Sequence, residues 1–253
     1  MMYKSIKKIY LFIIPRKVHY KLEPLIRSFL YFLFYRGDDF YCPICNSRLK
    51  KFITINFKSG SDNSCPKCGS LSRTRLLLLY LQKEINAPFH EILDFSPHRS
   101  LYNLLSKTKE NYIANDFENQ FHADTHYDIT KLPFEEKKFD LIICFHVLEH
   151  ITNDNKAINN LFKILKNKGN LLIQVPLKKG KTYEDNSITD PKIREEKFGQ
   201  SDHVRIYGKE DLKIKLKDIG FNIKIVDYAE KFDLKEQKYY GFKKGELIFH
   251  CTK

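Results

Sequence analysis

Short apolar runs alternate with helical patterns between residues 76 and 178, and this alternation limits the possible folds more than any other feature of the chain. The runs Phe139–Phe145 (FDLIICF) and Asn170–Val175 (NLLIQV) are almost entirely apolar, as expected of strands that are covered on both faces. Residues 154–167 lie between them, carry apolar side chains at helical spacing and end just before Gly169, as a helix commonly does. Strands that alternate with helices predict an α/β domain built on a parallel sheet.

The pattern extends to both sides of this central unit. Strands are predicted at residues 90–95 and 112–114, with a helix over 98–107 between them. A helix over 209–219 and two last strands, at 221–226 and 246–251, complete the domain. At 253 residues the chain is long enough for one full-sized domain and a small appendage. It contains no run of about 18 uncharged apolar residues, which excludes a multi-span membrane protein.

Four of the six cysteines form two CxxC pairs, Cys42 with Cys45 and Cys65 with Cys68, separated by 19 residues. Each such turn directs two sulfurs toward one point, and this spacing is typical of tetrahedral zinc sites. The alternating residues 52–57 between the pairs predict a short hairpin. We therefore expect a structural zinc ion held by four thiolates, with structural or redox thiols as the alternative. The two remaining cysteines fall in predicted strands and are expected in the core: Cys144 and Cys251.

Acidic residues follow the predicted strands at the positions where a parallel sheet forms its binding crevice. Asp94 ends the first strand, Asp116 follows the second, and Asp128 precedes the third. Because the carboxyl ends of neighbouring parallel strands meet at one edge, these carboxylates are expected around a common cleft. One carboxylate can accept hydrogen bonds from both hydroxyls of a ribose, so the pattern fits any nucleoside cofactor.

Several motifs together resemble one enzyme family. They are CPICN, CPKCGSLSRTRLL, the LDFSPH turn, DITKLPF, HVLEH, TYEDNSITD and FGQSDHVRIYG. The chain is similar to class I S-adenosylmethionine-dependent methyltransferases, and in particular to a bacterial group with an N-terminal zinc-ribbon-like segment. The resemblance implies a Rossmann-like sheet of seven mostly parallel strands with helices on both faces, plus a small zinc ribbon. The implied domains are an arm over 1–39, a zinc-ribbon-like module over 40–75 and a methyltransferase domain over 76–253, in which residues 179–208 cover the substrate.

The resemblance also implies cofactor contacts. Asp116 would hold the ribose, Asp128 and Ile129 would flank the adenine, and Phe145 and His146 would border the sulfonium and the substrate. The turn that passes beneath the methionine part would consist of Asp94, Phe95, Ser96 and Pro97. This turn lacks the glycines of the family's GxGxG pattern. S-Adenosylmethionine has no pyrophosphate that a glycine-rich turn must cradle, so the departure argues against a dinucleotide such as NAD. A degenerate domain without cofactor binding would show the same departure.

Histidines in two loops are the candidates for the chemistry. Methyl transfer to a hydroxyl requires removal of a proton, and histidine is the usual base near neutral pH. His203 and Asp202 lie in the long segment 179–208, and we expect His203 to act as a general base or hydrogen-bond donor to the substrate. Arg205 is expected to contact an anionic group. The alternative is a loop whose polar groups satisfy one another.

The second loop follows the central strand and reads His146-Val147-Leu148-Glu149-His150. His146 and His150 are expected to face the cofactor crevice as catalytic residues. Glu149 and His150 could equally cap and orient the next helix. The loop is also similar to a loop of ubiquinone-pathway O-methyltransferases that binds a divalent metal near the substrate, which implies a second metal as a further alternative.

The chain carries a formal charge of +13, and residues 1–36 contribute eight basic residues against a single acid, Glu23. Residues 25–35 are apolar almost throughout but too short to span a bilayer. The arm could therefore lie on an anionic membrane surface or pack as a helix on the domain. Nucleic acid is a less favoured partner, because the charge excess over the rest of the chain is modest. The cysteine usage and the lack of a recognisable signal peptide predict a cytoplasmic protein that can associate with the inner face of the membrane.

These features combine into one functional prediction with two alternatives. We expect an enzyme that transfers a methyl group from S-adenosylmethionine to oxygen or nitrogen of a small molecule or glycan intermediate. An RNA methyltransferase that binds RNA through the zinc ribbon is one alternative. A non-catalytic binding protein on a degenerate methyltransferase fold is the other.

Overall fold

The computed structural model describes residues 16–57, 60–85, 89–108, 111–118 and 123–253. Residues 1–15 of the predicted basic arm lie outside the described residues. The described chain begins with helix α1 (Arg16–Leu30) and a π-helical turn (Tyr31–Tyr35). Two hairpins follow, the first formed by β1 (Arg36–Cys42) with β2 (Ser47–Leu49) and the second by β3 (Ile53–Phe57) with β4 (Gly60–Ser64). The second hairpin confirms the one predicted between the cysteine pairs.

The α/β domain follows these hairpins. Its helices and strands are α2 (Ser72–Lys83), β5 (Ile92–Phe95), α3 (Arg99–Thr108), β6 (Tyr112–Asn115), β7 (Phe139–Phe145), α4 (Asp154–Ile164), β8 (Leu165–Gln174), β9 (Leu177–Lys178), β10 (Tyr183–Glu184), α5 (Pro191–Phe198), β11 (Arg205–Gly208), α6 (Lys209–Ile219), β12 (Asn222–Asp227), α7 (Leu234–Tyr240) and β13 (Leu247–Thr252).

The central sheet has the strand order β12-β13-β8-β7-β5-β6. Strands β6, β5, β7 and β8 are parallel, whereas β13 runs antiparallel to both of its neighbours. This arrangement confirms the predicted α/β fold with a mostly parallel sheet. The carboxyl ends of β5, β6 and β7 lie at one edge, which is where a ligand crevice forms in such folds.

The central sheet in the described part of the chain has six strands, one fewer than the seven expected. Beyond the outer strand β6 the chain makes an isolated parallel bridge between Asn115 and Thr125. A single bridge fixes the register of the passing segment at that edge without making it a strand. Within the described residues, the edge beyond β6 therefore has a single bridge where a further strand was expected.

Helices cover the sheet on both faces, as predicted. Alternate residues of the central strand β7 point to opposite sides: Leu141 and Ile143 belong to one apolar cluster, and Ile142 and Cys144 to the other. The first cluster also contains buried residues of α2 and α3, and the second contains those of α4 and α6. Cys144 and Cys251 are fully buried core residues, as expected.

Two local expectations are corrected. The helix predicted over 154–167 ends at Ile164, because the chain enters β8 at Leu165. The segment 179–208, expected to be a long loop, contains a helix and two short strands. Strands β10, β11 and β9 form a small separate sheet that holds this segment beside the main one.

The described part of the arm packs on the rest of the protein through residues of α1 and of the π-helical turn. Glu23 pairs with Arg27 at 2.8 Å and with Arg99 of α3 at 3.1 Å, and the Tyr31 hydroxyl donates to the Arg48 carbonyl at 2.9 Å. The same segment exposes five large apolar side chains, namely Leu25, Phe29, Phe32, Leu33 and Phe34. No helix within the described residues is long and apolar enough to cross a membrane.

Candidate active site

A cavity of about 310 Å³ opens at the carboxyl ends of β5, β6 and β7. Its wall combines the turn after β5, the residues that follow β6 and the loop after β7. The lining residues are Phe95, Ser96, Asn115, Phe117, Tyr127, Asp128, Ile129, Thr130, Val147, His150, Ile151, Thr152 and Asn153. The crevice predicted from the strand pattern is therefore present at this sheet edge.

The first wall of the cavity is the glycine-free turn after β5. Ser96 adopts a left-handed backbone conformation with φ +50°, which costs a non-glycine residue about 1 kcal/mol. Its N–H donates to the Asn115 carbonyl at 2.7 Å and its hydroxyl donates to Asp116 at 3.1 Å. The side chain thus supplies a contact that a glycine would lack, and it ties the ends of β5 and β6 together.

The second wall is organised by Asn115 at the end of β6. Its amide accepts from the Tyr127 N–H at 2.7 Å and donates to the Tyr127 carbonyl at 3.0 Å. Asp128, the residue after Tyr127, accepts hydrogen bonds from both the N–H and the hydroxyl of Thr130 at 2.8 Å through one oxygen, Oδ1. These bonds hold Asp128 and the buried Ile129 at the cavity.

Two aromatic residues at the cavity were not predicted. Phe117 follows the strand-end acid Asp116, and its side chain is 61% exposed; Tyr127 is 38% exposed. An apolar ring left in solvent beside a concave site is a suitable platform for a planar base. The signal in the sequence was position alone, since Phe117 is the residue directly after the acid predicted to hold the ribose.

Four of the eight residues implied as cofactor contacts line the cavity: Phe95, Ser96, Asp128 and Ile129. The other four lie nearby but are not part of its lining: Asp94, Pro97, Asp116 and Phe145. Asp116 is buried and accepts the Ser96 hydroxyl. Phe145 packs against the core cluster that contains α2 and α3.

Asp94 is held away from the cavity by Tyr112, whose hydroxyl donates to the carboxylate at 2.8 Å. Both side chains are buried. Burial raises the pKa of Asp94 to about 7, and the hydrogen bond from Tyr112 offsets part of that effect. This carboxyl therefore takes up a proton near neutral pH in the folded protein.

The loop after β7 begins with a strained histidine. His146 has φ +56° and its Nδ1 lies 3.1 Å from Oε1 of Glu149, which is fully buried. Burial alone would raise the pKa of Glu149, but the hydrogen bond from His146 and the charges of His146 and His150 lower it overall. Glu149 is therefore a carboxylate inside the protein. Strained residues that persist at a ligand cavity are typical of functional loops.

The two predicted histidine loops meet in space. The rings of His150 and His203 pack edge to face with centroids 4.7 Å apart, and Nδ1 of His150 lies 3.3 Å from Oδ2 of Asp202. Nδ1 of the buried His203 lies 3.0 Å from the Phe198 carbonyl. A carbonyl can only accept, so Nδ1 of His203 carries the proton and Nε2 carries the lone pair. Burial lowers the pKa of His203, which keeps the ring neutral at physiological pH.

Unpartnered polar atoms collect around this meeting point. Among the described residues, four buried side-chain atoms have no hydrogen-bond partner: His146 Nε2, Glu149 Oε2, Gln174 Oε1 and His203 Nε2. They belong to the loop after β7, to the end of β8 and to the segment before β11. The Gln174 carbonyl accepts the His146 N–H at 2.8 Å, which joins the end of β8 to the loop after β7. Such groups are costly unless something binds them, so the cluster points to a polar ligand.

Arg205 has a different role from the expected anion contact. Its side chain is buried, and its guanidinium donates to the carbonyls of Leu148, Ile151 and Thr152 and to Glu184 Oε2 at 2.6 Å. Most of the N–H donors of the guanidinium are therefore bonded to backbone carbonyls of the loop after β7. Arg205 is a clamp that holds the cavity wall in place.

The four paired cysteines form a second, separate centre. Their sulfurs lie within 4.8 Å of one another, with Cys42 and Cys68 at 3.7 Å and Cys45 and Cys65 at 3.8 Å. Sulfurs about 2.3 Å from a tetrahedral zinc ion are about 3.8 Å apart, so this donor set fits zinc. A metal binds cysteine as the thiolate, so zinc binding at this centre would release the thiol protons.

Comparison with known proteins identifies the class. The chain matches the family described as "Methyltransferase domain" over residues 72–224, which is more than half of its length. The chain belongs to this family, and its sheet is of the class I methyltransferase type. The recognition of a class I S-adenosylmethionine-dependent methyltransferase from the sequence motifs is thereby confirmed.

Individual relatives are more distant. An uncharacterized protein of Methanocaldococcus jannaschii is 42% identical over 66 residues, which are 26% of this chain and 28% of that protein, so the chain spans about a quarter of that relative. An S-adenosylmethionine-dependent methyltransferase of Archaeoglobus fulgidus matches with 15% identity and a TM-score of 0.47 over 71% of this chain and 94% of that one. The 1,6-didemethyltoxoflavin N1-methyltransferase of Burkholderia thailandensis matches with 15% identity and a TM-score of 0.47 over 72% and 78%.

Proposed function

We propose that this protein transfers a methyl group from S-adenosylmethionine to an oxygen or nitrogen atom of a small molecule or glycan intermediate. The observation that carries the proposal is the juxtaposition of two features at one sheet edge. A cavity with an aromatic and acidic wall adjoins a buried cluster of unpartnered histidine and glutamate atoms, and His150 lines the cavity while its ring contacts His203 of the cluster.

The cofactor half of the site is the wall made by the ends of β5 and β6. Oδ2 of Asp128 is left for the exocyclic amine of adenine, because Thr130 uses Oδ1. Ile129 and Phe117 offer apolar contact to the two faces of the base. Asp116, which the Ser96 hydroxyl fixes at the end of β6, is the group for the ribose hydroxyls.

The acceptor half is the histidine cluster. In methyl transfer the acceptor atom forms a bond to the methyl carbon while the carbon–sulfur bond breaks, and the electron pair of that bond stays on sulfur. An acceptor hydroxyl must also lose its proton. The group formed by His146, His150, Asp202 and His203 is the part of the cavity region that can remove this proton or stabilise the oxygen left behind, since Nε2 of His203 is a free lone pair.

The first test is calorimetric titration with S-adenosylhomocysteine, followed by methylation assays with labelled S-adenosylmethionine on panels of small molecules and glycans. We expect cofactor binding in the wild type and a loss of about 10²-fold or more in methylation for His203→Ala, with binding retained. The exposed His90→Ala is the matched control. Unchanged methylation by His203→Ala would contradict the acceptor role, and absence of cofactor binding would favour the non-catalytic alternative.

We also propose that the four thiols hold a structural zinc ion and that the arm carries the enzyme to anionic membrane surfaces. The exposed stripe at Phe29 and Phe32 supports the second proposal, because apolar side chains beside basic ones suit an interfacial helix. Flotation with vesicles containing anionic lipid tests it. Phe29→Ser with Phe32→Ser should abolish flotation, whereas Phe57→Ser, which changes an exposed ring on the β3–β4 hairpin, should not.

A further inference from the structure

The buried cluster beside the cavity has the donor set of a metal site. One ligand atom each from Glu149, His150 and His203 lies within 4.8 Å of the others. Glu149 and His203 are 0% and 2% exposed, and Oε2 of Glu149 and Nε2 of His203 have no partner among the described residues. Two buried lone-pair atoms without a hydrogen bond, on residues whose ligand atoms lie this close together, need a partner that accepts both lone pairs, and a cation does so.

The outer partners of these side chains match those of metal ligands. Nδ1 of His203 donates to the Phe198 carbonyl, and Nδ1 of His150 faces the Asp202 carboxylate. A carbonyl or carboxylate on one ring nitrogen fixes the tautomer and leaves the other nitrogen as the donor, which is the usual arrangement around metal-bound histidines. Oε1 of Glu149 is likewise held by His146, which leaves Oε2 for the ion.

We propose that Glu149, His150 and His203 bind a divalent first-row transition-metal ion at the edge of the cofactor cavity. The set differs from the one implied by the similarity to ubiquinone-pathway enzymes, because His146 uses Nδ1 on Glu149 and His203 comes from the segment before β11. Two imidazoles and one carboxylate are a common set for such ions when further positions stay open. Since the ligand atoms lie within 4.8 Å of one another, they must approach by up to about 1.5 Å to reach bonds of about 2.1 Å, which the partly exposed His150 permits.

The position of the ion beside the cavity suggests a role in catalysis, and this inference rests on the proposed methyl transfer. His150 lines the cavity, so an open coordination position would face the space beside the cofactor. A divalent ion there would bind an acceptor oxygen and favour its deprotonated form, and because the ion takes the lone pair of His203 Nε2, the ion and not this histidine would then promote deprotonation. The acceptor class is therefore an oxygen compound that can ligate a metal, such as a phenol or a vicinal diol, rather than an isolated amine.

Titration of the full chain with Co²⁺, after dialysis against a mild chelator, tests the site separately from activity. Zinc retained by the four thiols keeps that centre out of the measurement. We expect one Co²⁺ per chain, with visible d–d absorption but without the sulfur-to-cobalt charge-transfer band that thiolate ligands give. Glu149→Gln and His203→Gln should weaken binding at least 100-fold, Asp202→Asn about 10-fold or more, and the exposed His90→Gln not at all.

Two results would overturn the metal site, and neither depends on a variant that folds poorly. One is a wild-type protein that binds S-adenosylhomocysteine but takes up no Co²⁺ outside the thiol centre. The other is methylation that persists undiminished when a chelator strips all metal except the thiol-bound zinc. Either result leaves the proposed methyl transfer intact. Co²⁺ binding in a protein that methylates no oxygen or nitrogen acceptor would instead contradict the proposed function and retain the site.

Discussion

The guanidinium of Arg75 donates to the carbonyl of Gly241 at 2.7 Å, across 166 positions of the sequence. The same fully buried side chain donates to the carbonyls of Ser70 and Asn63 near the thiol centre and of Tyr240 at the end of α7. One cation beside four thiols thus joins the cysteine-bearing hairpins to the last helix. Burial lowers the pKa of Arg75, but the carbonyls around it satisfy the charge.

Replacement of Arg75 should destabilise the whole fold. In Arg75→Met the carbonyls that now accept hydrogen bonds stay buried without donors, at about 1–3 kcal/mol each, so we expect a loss of about 3 kcal/mol or more in the free energy of unfolding. Urea denaturation followed by circular dichroism measures it. Arg48→Met removes an exposed arginine of the same module and should change little. Equal effects of the two substitutions would show that Arg75 is not the link.

Metal loss should act on the same link. Cys42→Ser with Cys65→Ser removes one donor from each pair, so we expect the variant to hold no zinc at the thiol centre and to melt at a lower temperature. Atomic absorption on the purified protein gives the zinc content. Cys251→Ala, which changes a core thiol outside the cluster, should retain the full zinc content. Zinc content that is unaffected by the double substitution would rule out the thiol centre as its site.

The protonation of Asp94 should make stability depend on pH. Its pKa is about 7 in the folded protein and near 3.8 when exposed, so the folded state binds the extra proton between these values. Its favourable contribution is complete below about pH 4 and is lost as the pH rises through 7. Asp94→Asn cannot ionise, so its stability relative to wild type should increase from pH 5 to pH 8.

The measurement for Asp94 is the difference in unfolding free energy between variant and wild type at several pH values, because other groups contribute to the absolute slope. Asp140→Asn is the control. Hydrogen bonds from Lys166 and the backbone outweigh burial and hold the pKa of Asp140 below its usual value, so its difference from wild type should be flat over this range. A flat difference for Asp94→Asn as well would contradict the assigned protonation.

Removal of the exposed ring at the cavity should weaken cofactor binding. Stacking of a base on an aromatic side chain contributes about 1–3 kcal/mol, so Phe117→Ala should raise the Kd for S-adenosylhomocysteine about 10-fold. The variant should fold normally, since the ring is mostly in solvent. Calorimetry on Phe117→Ala and on the control Phe57→Ala distinguishes a contact from a general effect; equal affinities would place the adenine elsewhere.

Local patterns in the sequence were sufficient to predict much of the fold. The runs that became β7 and β8 are apolar because both of their faces are covered, and the paired cysteines converge because each CxxC turn is a local structure. The edge of the sheet was less predictable. Whether the segment around Thr125 makes a strand or one bridge depends on its tertiary neighbours, which leave no periodic signal.

The site was predictable in its location but not in the task of each side chain. Asp128 and Ser96 could be assigned to the crevice because strand ends converge there. The sequence could not predict that Asp94 contacts Tyr112 or that Arg205 is buried. Both depend on which residue lies on the neighbouring strand or under the loop. The contact of His150 with His203 likewise joins segments more than 50 residues apart, and no spacing rule predicts it.

The Arg205 clamp has a consequence for any attempt to alter the proposed acceptor preference of this protein. Because one guanidinium grips three carbonyls of the loop that lines the cavity, the segment that carries His203 and the loop that carries His150 form a single mechanical unit. A graft that exchanges only residues 183–208 with those of a related protein would replace Arg205 and leave behind the carbonyls that it holds. A change of acceptor preference should therefore require exchange of both the loop after β7 and the segment that carries His203 and Arg205, and we expect the two to have changed together during evolution.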